Sequence, residues 1–202
     1  MGWLIVVSNV TPLAFGFAFV AVTVVRSLWL RRTAGVNAYV IDHRDPVHRF
    51  VAAVFAAVVV VLIAYFVAIA FLPRLEAQLG RPDWTVSDTA RWASIAVMST
   101  ATIWTGYAQF SMGNSWRIGI PQGDAPLLRT HGPFALSRNP IFLGMLTFVF
   151  GMTLWSPSAV TIALLVASYI ALEVQIRSEE TYLARMHGEP YHNYCARVRL
   201  WL

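Results

Sequence analysis

The chain contains no lysine, a single cysteine and few charged residues of either sign. Charged side chains make up 12% of the 202 residues, and all 15 basic residues are arginine. The absence of lysine excludes a lysine nucleophile, and the lone Cys195 excludes both a disulfide framework and a cysteine-ligated metal site. Apolar residues are abundant instead, at 57%, which is more than a soluble domain typically contains. The composition therefore predicts a membrane protein.

Long uncharged stretches indicate where the chain crosses the bilayer. They cover residues 1–25, 50–73, 92–116 and 139–172, and a helix of about 20 residues is enough to cross the hydrocarbon core. The last stretch is broken by Ser156, Pro157 and Ser158, so we expect it to cross twice. The prediction is an all-α integral membrane protein with five transmembrane helices, a C-terminal helical hairpin and a cytoplasmic C-terminal tail. Without an internal repeat, residues 1–202 are interpreted as one domain.

The distribution of arginines predicts the orientation of these helices. Five arginines lie between residues 26 and 49, three between 117 and 138, and four after residue 173, whereas none precedes residue 26. By the positive-inside rule, we expect the N-terminus outside and the C-terminus in the cytoplasm of a bacterial inner membrane. The first apolar stretch lacks the charged start and the cleavage pattern of a signal peptide, so we interpret it as a span.

The net charge of +5 raises the question of a nucleic-acid partner. We expect none, because the arginines are spread over loops that flank the spans and no basic helix collects them. Binding to anionic lipid headgroups explains them better. We also expect no metal, since the spacing of His43 and His48 does not suit a set of metal ligands. The sequence leaves the oligomeric state open.

Two polar clusters flank the predicted hairpin, one at residues 131–144 and the other at residues 177–180. Asn139 followed by Pro140 is a helix-start signal, because an asparagine side chain can accept from an orphan backbone N–H and proline suits the first helical position. A hairpin returns the chain to the side from which it came, so both clusters meet at one membrane face. We interpret this meeting point as a functional site.

Further candidates lie on the third span and on the two helices of the hairpin. Tyr107 and Gln109 are expected to line a cavity, and Trp116 with Arg117 is either an interfacial anchor or a contact to a lipid headgroup. Small residues recur on the first hairpin helix at Gly144, Thr147 and Gly151, where another helix or a flat ligand can lie. Charged residues recur on the second at Glu173, Arg177 and Glu180, as a functional stripe or as a surface ion pair.

The order of these motifs resembles the isoprenylcysteine carboxyl methyltransferases and the related phospholipid N-methyltransferases, which are integral-membrane enzymes that use S-adenosylmethionine. The matching residues are Gly132, Pro133, Phe134, Arg138, Asn139, Pro140, Phe142, Gly144, Arg177, Glu179, Glu180, Leu183, Gly188, Tyr191, Tyr194, Arg197, Val198 and Arg199. They lie within residues 105–202, which we interpret as the cofactor-binding part. Residues 1–100 match only as generic spans and are interpreted as scaffold.

The resemblance implies a cofactor, S-adenosylmethionine, between the cytoplasmic ends of the last helices and the tail. The residues expected to bind it are His131, Gly132, Pro133, Phe134, Asn139, Pro140, Gly144, Glu179, Glu180, Tyr191 and Tyr194. Backbone N–H groups suit its carboxylate, a glutamate suits its ammonium or ribose hydroxyls, and the tyrosines can stack on adenine. The expected catalytic residues are Arg138, Asn139 and Glu180, and the expected acceptor-binding residues are Tyr107, Trp116, Arg117 and Arg177.

The chain departs from the family at three positions. The family often has histidine where Asn139 stands, and tyrosine in place of Phe134 and Phe142. Asparagine can donate and accept a hydrogen bond, but it does not titrate.

The expected function is methyl transfer to a lipid or lipophilic small molecule at the cytoplasmic face, with the acceptor entering between the third span and the hairpin. The alternative is a non-catalytic small membrane protein, or a fold relative with a changed cofactor.

Overall fold

The structure is a computed structural model that describes residues 2–35, 46–72, 74–80, 87–116 and 127–202, with side chains described from residue 10 onward. Its helices are α1 (Gly2–Ala34), α2 (Pro46–Phe71), α3 (Arg74–Gln78), α4 (Asp88–Ser111), α5 (Pro140–Trp155), α6 (Ala159–His187) and α7 (Glu189–Arg197). Two 3₁₀ turns cover Gly113–Ser115 and Gly132–Ala135. These ranges contain no β-strand, which confirms the all-α prediction.

The five long helices pack as a closed ring. Helix α1 lies against both α2 and α4, α2 packs against α6, α6 against α5, and α5 against α4. The ring encloses an apolar core in which Phe66, Ile69 and Met98 are fully buried. Phe19 of α1 stacks on Phe148 of α5 with their ring centroids 4.3 Å apart. The core therefore joins the predicted scaffold half of the chain to the hairpin.

Three of the described helical segments are long and apolar enough to cross a membrane. They are Val10–Ala34, Pro46–Phe71 and Ala159–His187. Helix α5 is apolar but has 16 residues, about 24 Å at the usual rise of an α-helix, which is less than the hydrocarbon thickness. Helix α4 is long enough but carries more polar residues. An integral membrane protein is thus supported, while the number of five spans and the orientation of the termini remain predictions.

The closest helix contact lies between α4 and α5 and depends on two glycines. A Cβ atom at Gly144 would collide with the Thr105 hydroxyl, and one at Gly151 would lie 2.7 Å from Cγ of Met98. Of the two alternatives for the small-residue stripe, Gly144 and Gly151 therefore serve a neighbouring helix. Thr147 lies apart from this contact and lines a groove between α5 and α6. At these two glycines, α4 and α5 leave no opening for an acceptor.

The turn of the hairpin is held by buried polar groups at the end of the bundle opposite the candidate site. Ser158 and Thr161 form a capping box at the start of α6, as each side chain accepts from the other residue's backbone N–H. The Ser156 hydroxyl donates to the Glu76 carboxylate and bonds the Tyr65 hydroxyl at 2.7 Å. Since a serine has one proton to donate, Tyr65 is the donor in the second bond. The predicted turn at residues 156–158 is confirmed.

Candidate active site

The loop before α5 has a defined shape that follows from its sequence. Gly132 has a φ of +63°, a conformation that favours glycine, and it opens the 3₁₀ turn Gly132–Ala135. Pro133 and Phe134 are buried, whereas His131 and Gly132 are exposed. Helix α5 begins at Pro140, which confirms the helix start predicted from the Asn-Pro pair. The loop thus presents an exposed edge at residues 131–132 above a buried base.

The C-terminal segment of the chain lies against this loop, and we call residues 194–201 the strap. The Arg138 N–H donates to the Arg199 carbonyl at 3.0 Å. The Ser137 hydroxyl donates to the Leu200 carbonyl at 3.3 Å, and the Tyr194 hydroxyl donates to the Phe134 carbonyl at 2.7 Å. Most of these contacts reach the strap through its main-chain carbonyls. The strap therefore helps to hold the loop in place.

Asn139 does not cap α5 in the way that the helix-start pattern predicted. Its side chain makes no capping hydrogen bond; its amide nitrogen instead donates to the Leu200 carbonyl at 3.3 Å. The backbone N–H of Asn139 donates to the Ser137 hydroxyl at 3.1 Å. The reason is the proximity of the strap, whose carbonyl is an acceptor that the local sequence does not reveal. Asn139 thus joins the start of α5 to the strap, and its amide oxygen keeps its capacity to accept.

An ion pair joins the two polar clusters. Arg138 Nη2 lies 2.8 Å from Glu180 Oε1, and the side chains are 17% and 28% exposed. Arg138 Nη1 also donates to the Cys195 carbonyl at 3.4 Å, while its Nε is buried without a partner. This side chain therefore bridges the loop, the strap and the end of α6. The structure thus shows that the two polar clusters meet at one end of the hairpin.

The glutamates of α6 have three different environments. The Glu179 carboxylate accepts from Gln175 at 2.7 Å, on the face where Leu172 and Ile176 are buried. Glu173 instead accepts from the indole N–H of Trp201 at 3.0 Å. The stripe expected at positions 173, 177 and 180 is thus divided, because Glu180 pairs with the loop rather than with its neighbours on the helix.

Arg177 and the two tyrosines of α7 are also placed by the structure. Arg177 is 79% exposed and lies 3.6 Å from the Glu173 carboxylate, which matches the alternative of a surface ion pair. The Tyr191 and Tyr194 side chains are 4% and 3% exposed. Burial raises the pKa of Tyr194 to about 12 and raises the pKa of Tyr191 as well, so both hydroxyls stay protonated at physiological pH. Stacking of either ring on adenine would require the strap to open.

The acceptor-binding candidates of the third span have separate positions. The Tyr107 side chain is 56% exposed, and its hydroxyl lies 3.4 Å from where a Cβ on Gly132 would be. Trp116 is 2% exposed and packs against Leu30, which argues against a headgroup contact and corrects that prediction. Its ring is apolar enough to fill this small core instead of the interface. Arg117 lies outside the described residues. Of the candidates on the third span that the structure describes, Tyr107 is the one that reaches the loop.

Several residues of the site were not foreseen from the sequence. The indole N–H of Trp104 donates to the Pro140 carbonyl at 2.8 Å and so fixes the start of α5 against α4. The Tyr182 hydroxyl and Nε2 of His187, near the end of α6, are buried without a hydrogen-bond partner. The sequence does carry a signal for Gln175, because it is an uncharged polar residue one turn before Glu179 within an apolar helix. In the described part of the chain, no three histidine, cysteine or acidic side chains are grouped to hold a metal.

The fold and the site define a helical membrane protein with a polar centre at one end of its hairpin. The family described as phospholipid methyltransferase matches residues 92–190, which cover α4, α5 and α6 and reach the start of α7. This match confirms the resemblance predicted from the motifs. Among curated proteins, none matches the sequence.

A solved structure supports the same fold over nearly the whole chain. It is that of the eukaryotic intramembrane Ras methyltransferase, isoprenylcysteine carboxyl methyltransferase, determined without a monobody. The two are 19% identical, with a TM-score of 0.61, and the alignment covers 96% of this chain and 67% of the other. At this identity the likeness concerns the fold alone. It nevertheless extends to α1 and α2, for which the motifs carried no information.

Proposed function

We propose that the protein transfers a methyl group from S-adenosylmethionine to a lipid or lipophilic small molecule at the cytoplasmic face of the membrane. The observation that carries this proposal is the Arg138–Glu180 ion pair, which joins the loop and the end of α6 inside the region matched by the methyltransferase family. The cofactor would supply a methyl group already activated on a sulfonium. The protein then has to bind the cofactor and the acceptor, orient them and keep water away from them.

The polar groups at this end of the bundle suit such a cofactor. Glu179 and Glu180 offer carboxylate oxygens for an ammonium group or for ribose hydroxyls. The exposed backbone at residues 131–132 and the buried Nε of Arg138 offer donors for a carboxylate. Tyr182 and His187, each with a buried polar atom that lacks a partner, provide further sites for hydrogen bonds. The donor and acceptor set therefore fits an amino-acid and ribose moiety.

Each proposed catalytic residue has a role that its contacts suggest. Glu180 and Arg138 hold each other, so a bound cofactor would meet a carboxylate whose position is already set. Asn139 contributes through the strap, since its amide nitrogen is engaged with Leu200. The exposed His131 is the titratable side chain nearest the loop edge, and it can take a proton from an ammonium acceptor. A carboxylate acceptor would need no such base.

An apolar groove supports a lipophilic acceptor. It has a volume of about 370 Å³ and lies between α5 and α6. Its lining residues are Leu146, Thr147, Phe150, Leu165, Val166 and Tyr169. Because Phe150, Val166 and Tyr169 are about half exposed, the groove opens on the outside of the bundle, where a bilayer would surround it. We therefore propose entry along the hairpin itself, with the headgroup end of the acceptor towards Tyr107 and Gly132.

Calorimetry on the detergent-solubilised protein tests the cofactor. S-adenosylmethionine and its demethylated product should both bind saturably. Glu180→Ala should weaken binding more than Glu173→Ala, because Glu180 holds Arg138 whereas Glu173 holds Trp201. If Glu179→Ala is the more damaging change, the inward-facing carboxylate is the cofactor contact instead. Absence of saturable binding to folded protein would remove the enzyme proposal and favour a non-catalytic membrane protein or a relative with a changed cofactor.

The acceptor requires a separate experiment. Membranes that contain or lack the protein are incubated with cofactor labelled in its methyl group, and the label is followed into the lipid extract and the aqueous fraction. Incorporation into the lipid extract is the expected result. Efficient labelling of a water-soluble acceptor would contradict entry from the bilayer while leaving the methyltransferase proposal in place.

A further inference from the structure

A buried arginine lies at the junction of α1 and α4, outside the candidate active site. The Arg26 side chain is 0% exposed. Its Nε donates to the Gln109 carbonyl at 3.4 Å and its Nη2 to the Gly113 carbonyl at 2.5 Å. Its Nη1 is buried and has no hydrogen-bond partner. Part of this cation is therefore held by the C-terminal end of α4, and part of it faces no acceptor.

Two aromatic rings flank the same guanidinium. The Arg26 Cζ atom lies 4.7 Å from the ring centroid of Trp29 and 4.9 Å from that of Phe110. Both aromatic side chains are about half exposed on the outside of the bundle. Two half-exposed rings thus lie between the cation and the outside of the bundle. This gives a ligand at the membrane interface a short path to it.

A second arginine approaches the same glycine. A Cβ atom on Gly113 would lie 3.0 Å from Nη2 of Arg129, and Gly113 has a φ of +57°. The Nε of Arg129 is also buried without a partner. Arg26 and Arg129 therefore converge on Gly113 from different parts of the chain, and each has one buried N–H group that is not used.

Within the described part of the chain, the charges at this junction have no carboxylate partner. The negative end of the α4 dipole and two carbonyl oxygens compensate in part. The ion pairs found among the described residues involve neither Arg26 nor Arg129. The Arg26 side chain is buried and that of Arg129 is half-buried. Two such guanidinium groups repel each other, and their desolvation is costly unless an anion neutralises them. The arrangement is that of an anion site.

We propose that Arg26 and Arg129 bind a phosphate group, as carried by an anionic phospholipid headgroup at the membrane interface. Guanidinium groups present planar pairs of donors that match phosphate oxygens. The flanking aromatic rings suit a lipid rather than a polar solute, since half-exposed aromatic side chains are typical of the membrane interface. The site involves none of the residues proposed to bind the cofactor, so it does not rest on the proposed function.

Binding of phosphatidylglycerol to the whole purified protein tests the site. Native mass spectrometry and lipid-dependent thermal stabilisation are measured for the wild type and for Arg26→Gln, Arg129→Gln and the double variant. Each single substitution should weaken binding about tenfold, as expected for one charge-assisted hydrogen bond, and the double variant should weaken it further. The matched control is Arg32→Gln, which removes the same charge from an exposed position on α1 and should leave binding unchanged.

Two further comparisons separate the source of the phosphate from a purely structural role. Inorganic phosphate that displaces the lipid would assign the site to phosphate in general, whereas failure of inorganic phosphate to compete would assign it to the lipid headgroup. Equal losses in Arg129→Gln and Arg32→Gln would overturn the proposal in favour of diffuse surface charge. A loss of stability in the Arg26 and Arg129 variants that is the same with and without phosphatidylglycerol would overturn it in favour of a helix cap.

Discussion

The Arg138–Glu180 ion pair allows a quantitative prediction, because its two members belong to the two clusters that make the site. The charged atoms are 2.8 Å apart, and the side chains are 17% and 28% exposed, between a surface pair and a buried one. Surface pairs contribute up to about 1 kcal/mol, and loss of one partner of a buried pair costs about 3–5 kcal/mol. Discounting for partial exposure, we take the pair to hold Glu180 in its position by about 1.4 kcal/mol. Because each of Arg138→Gln and Glu180→Gln loses this positioning energy, each should lower cofactor affinity by a factor of about ten.

The double variant decides whether the pair acts as a unit. If Glu180 serves the cofactor only while Arg138 holds it in position, the second substitution removes nothing more, and the double variant should bind about tenfold less tightly than the wild type. Independent contributions would multiply to about a hundredfold loss. The assay is calorimetric titration with S-adenosylhomocysteine, with Glu189→Gln, at an exposed position of α7, as the charge-matched control. A hundredfold loss in the double variant would refute the reasoning.

Three other predictions concern packing, the strap and topology. Gly144→Ala should lower stability by about 1–3 kcal/mol in thermal unfolding, since its Cβ would collide with α4, whereas Gly16→Ala, whose Cβ would find an ordinary contact at 3.8 Å, should be neutral or stabilising. Trp201→Phe keeps an aromatic ring but loses the indole hydrogen bond to α6. Amide hydrogen exchange of the strap should therefore accelerate, while that of α4 should be unchanged. In a cysteine-free background, a cysteine at Asp83 should react with an impermeant reagent from outside and one at Asp124 only from the cytoplasm; the reverse pattern would contradict the orientation.

The local features of the hairpin were predictable because they are coded by neighbouring residues. The Asn-Pro pair announced the start of α5 at Pro140, and the Ser-Pro-Ser triplet announced the turn before α6. The meeting of the two polar clusters was also predictable from the sequence. When the start and the turn of an antiparallel helix pair are known, the chain has little freedom to place the two open ends far apart. The family match over residues 92–190 confirms the resemblance that these motifs indicated.

The pairings within the site were not predictable, because they depend on groups distant in the chain. Spacing on α6 placed Glu173 with Glu180, yet they bond to Trp201 and to Arg138, respectively. The sequence around Asn139 is that of a helix N-cap, but the Asn139 side chain donates to the strap instead. The reason is the Leu200 carbonyl, an acceptor that the neighbouring sequence does not reveal. Trp116 looked interfacial until the position of α1 supplied Leu30 as a packing partner.

The contacts of the strap have a consequence for how this part of the protein tolerates change. Arg138, Ser137 and Asn139 recognise the carbonyls of residues 195, 199 and 200, which every amino acid possesses. Side-chain identity along this segment is therefore largely free, except where a ring such as that of Tyr194 is buried. Its length is not free. Inserting or deleting one residue between positions 195 and 199 would shift the carbonyls of residues 199 and 200 relative to that of residue 195, and would damage the site more than any single substitution in the same stretch.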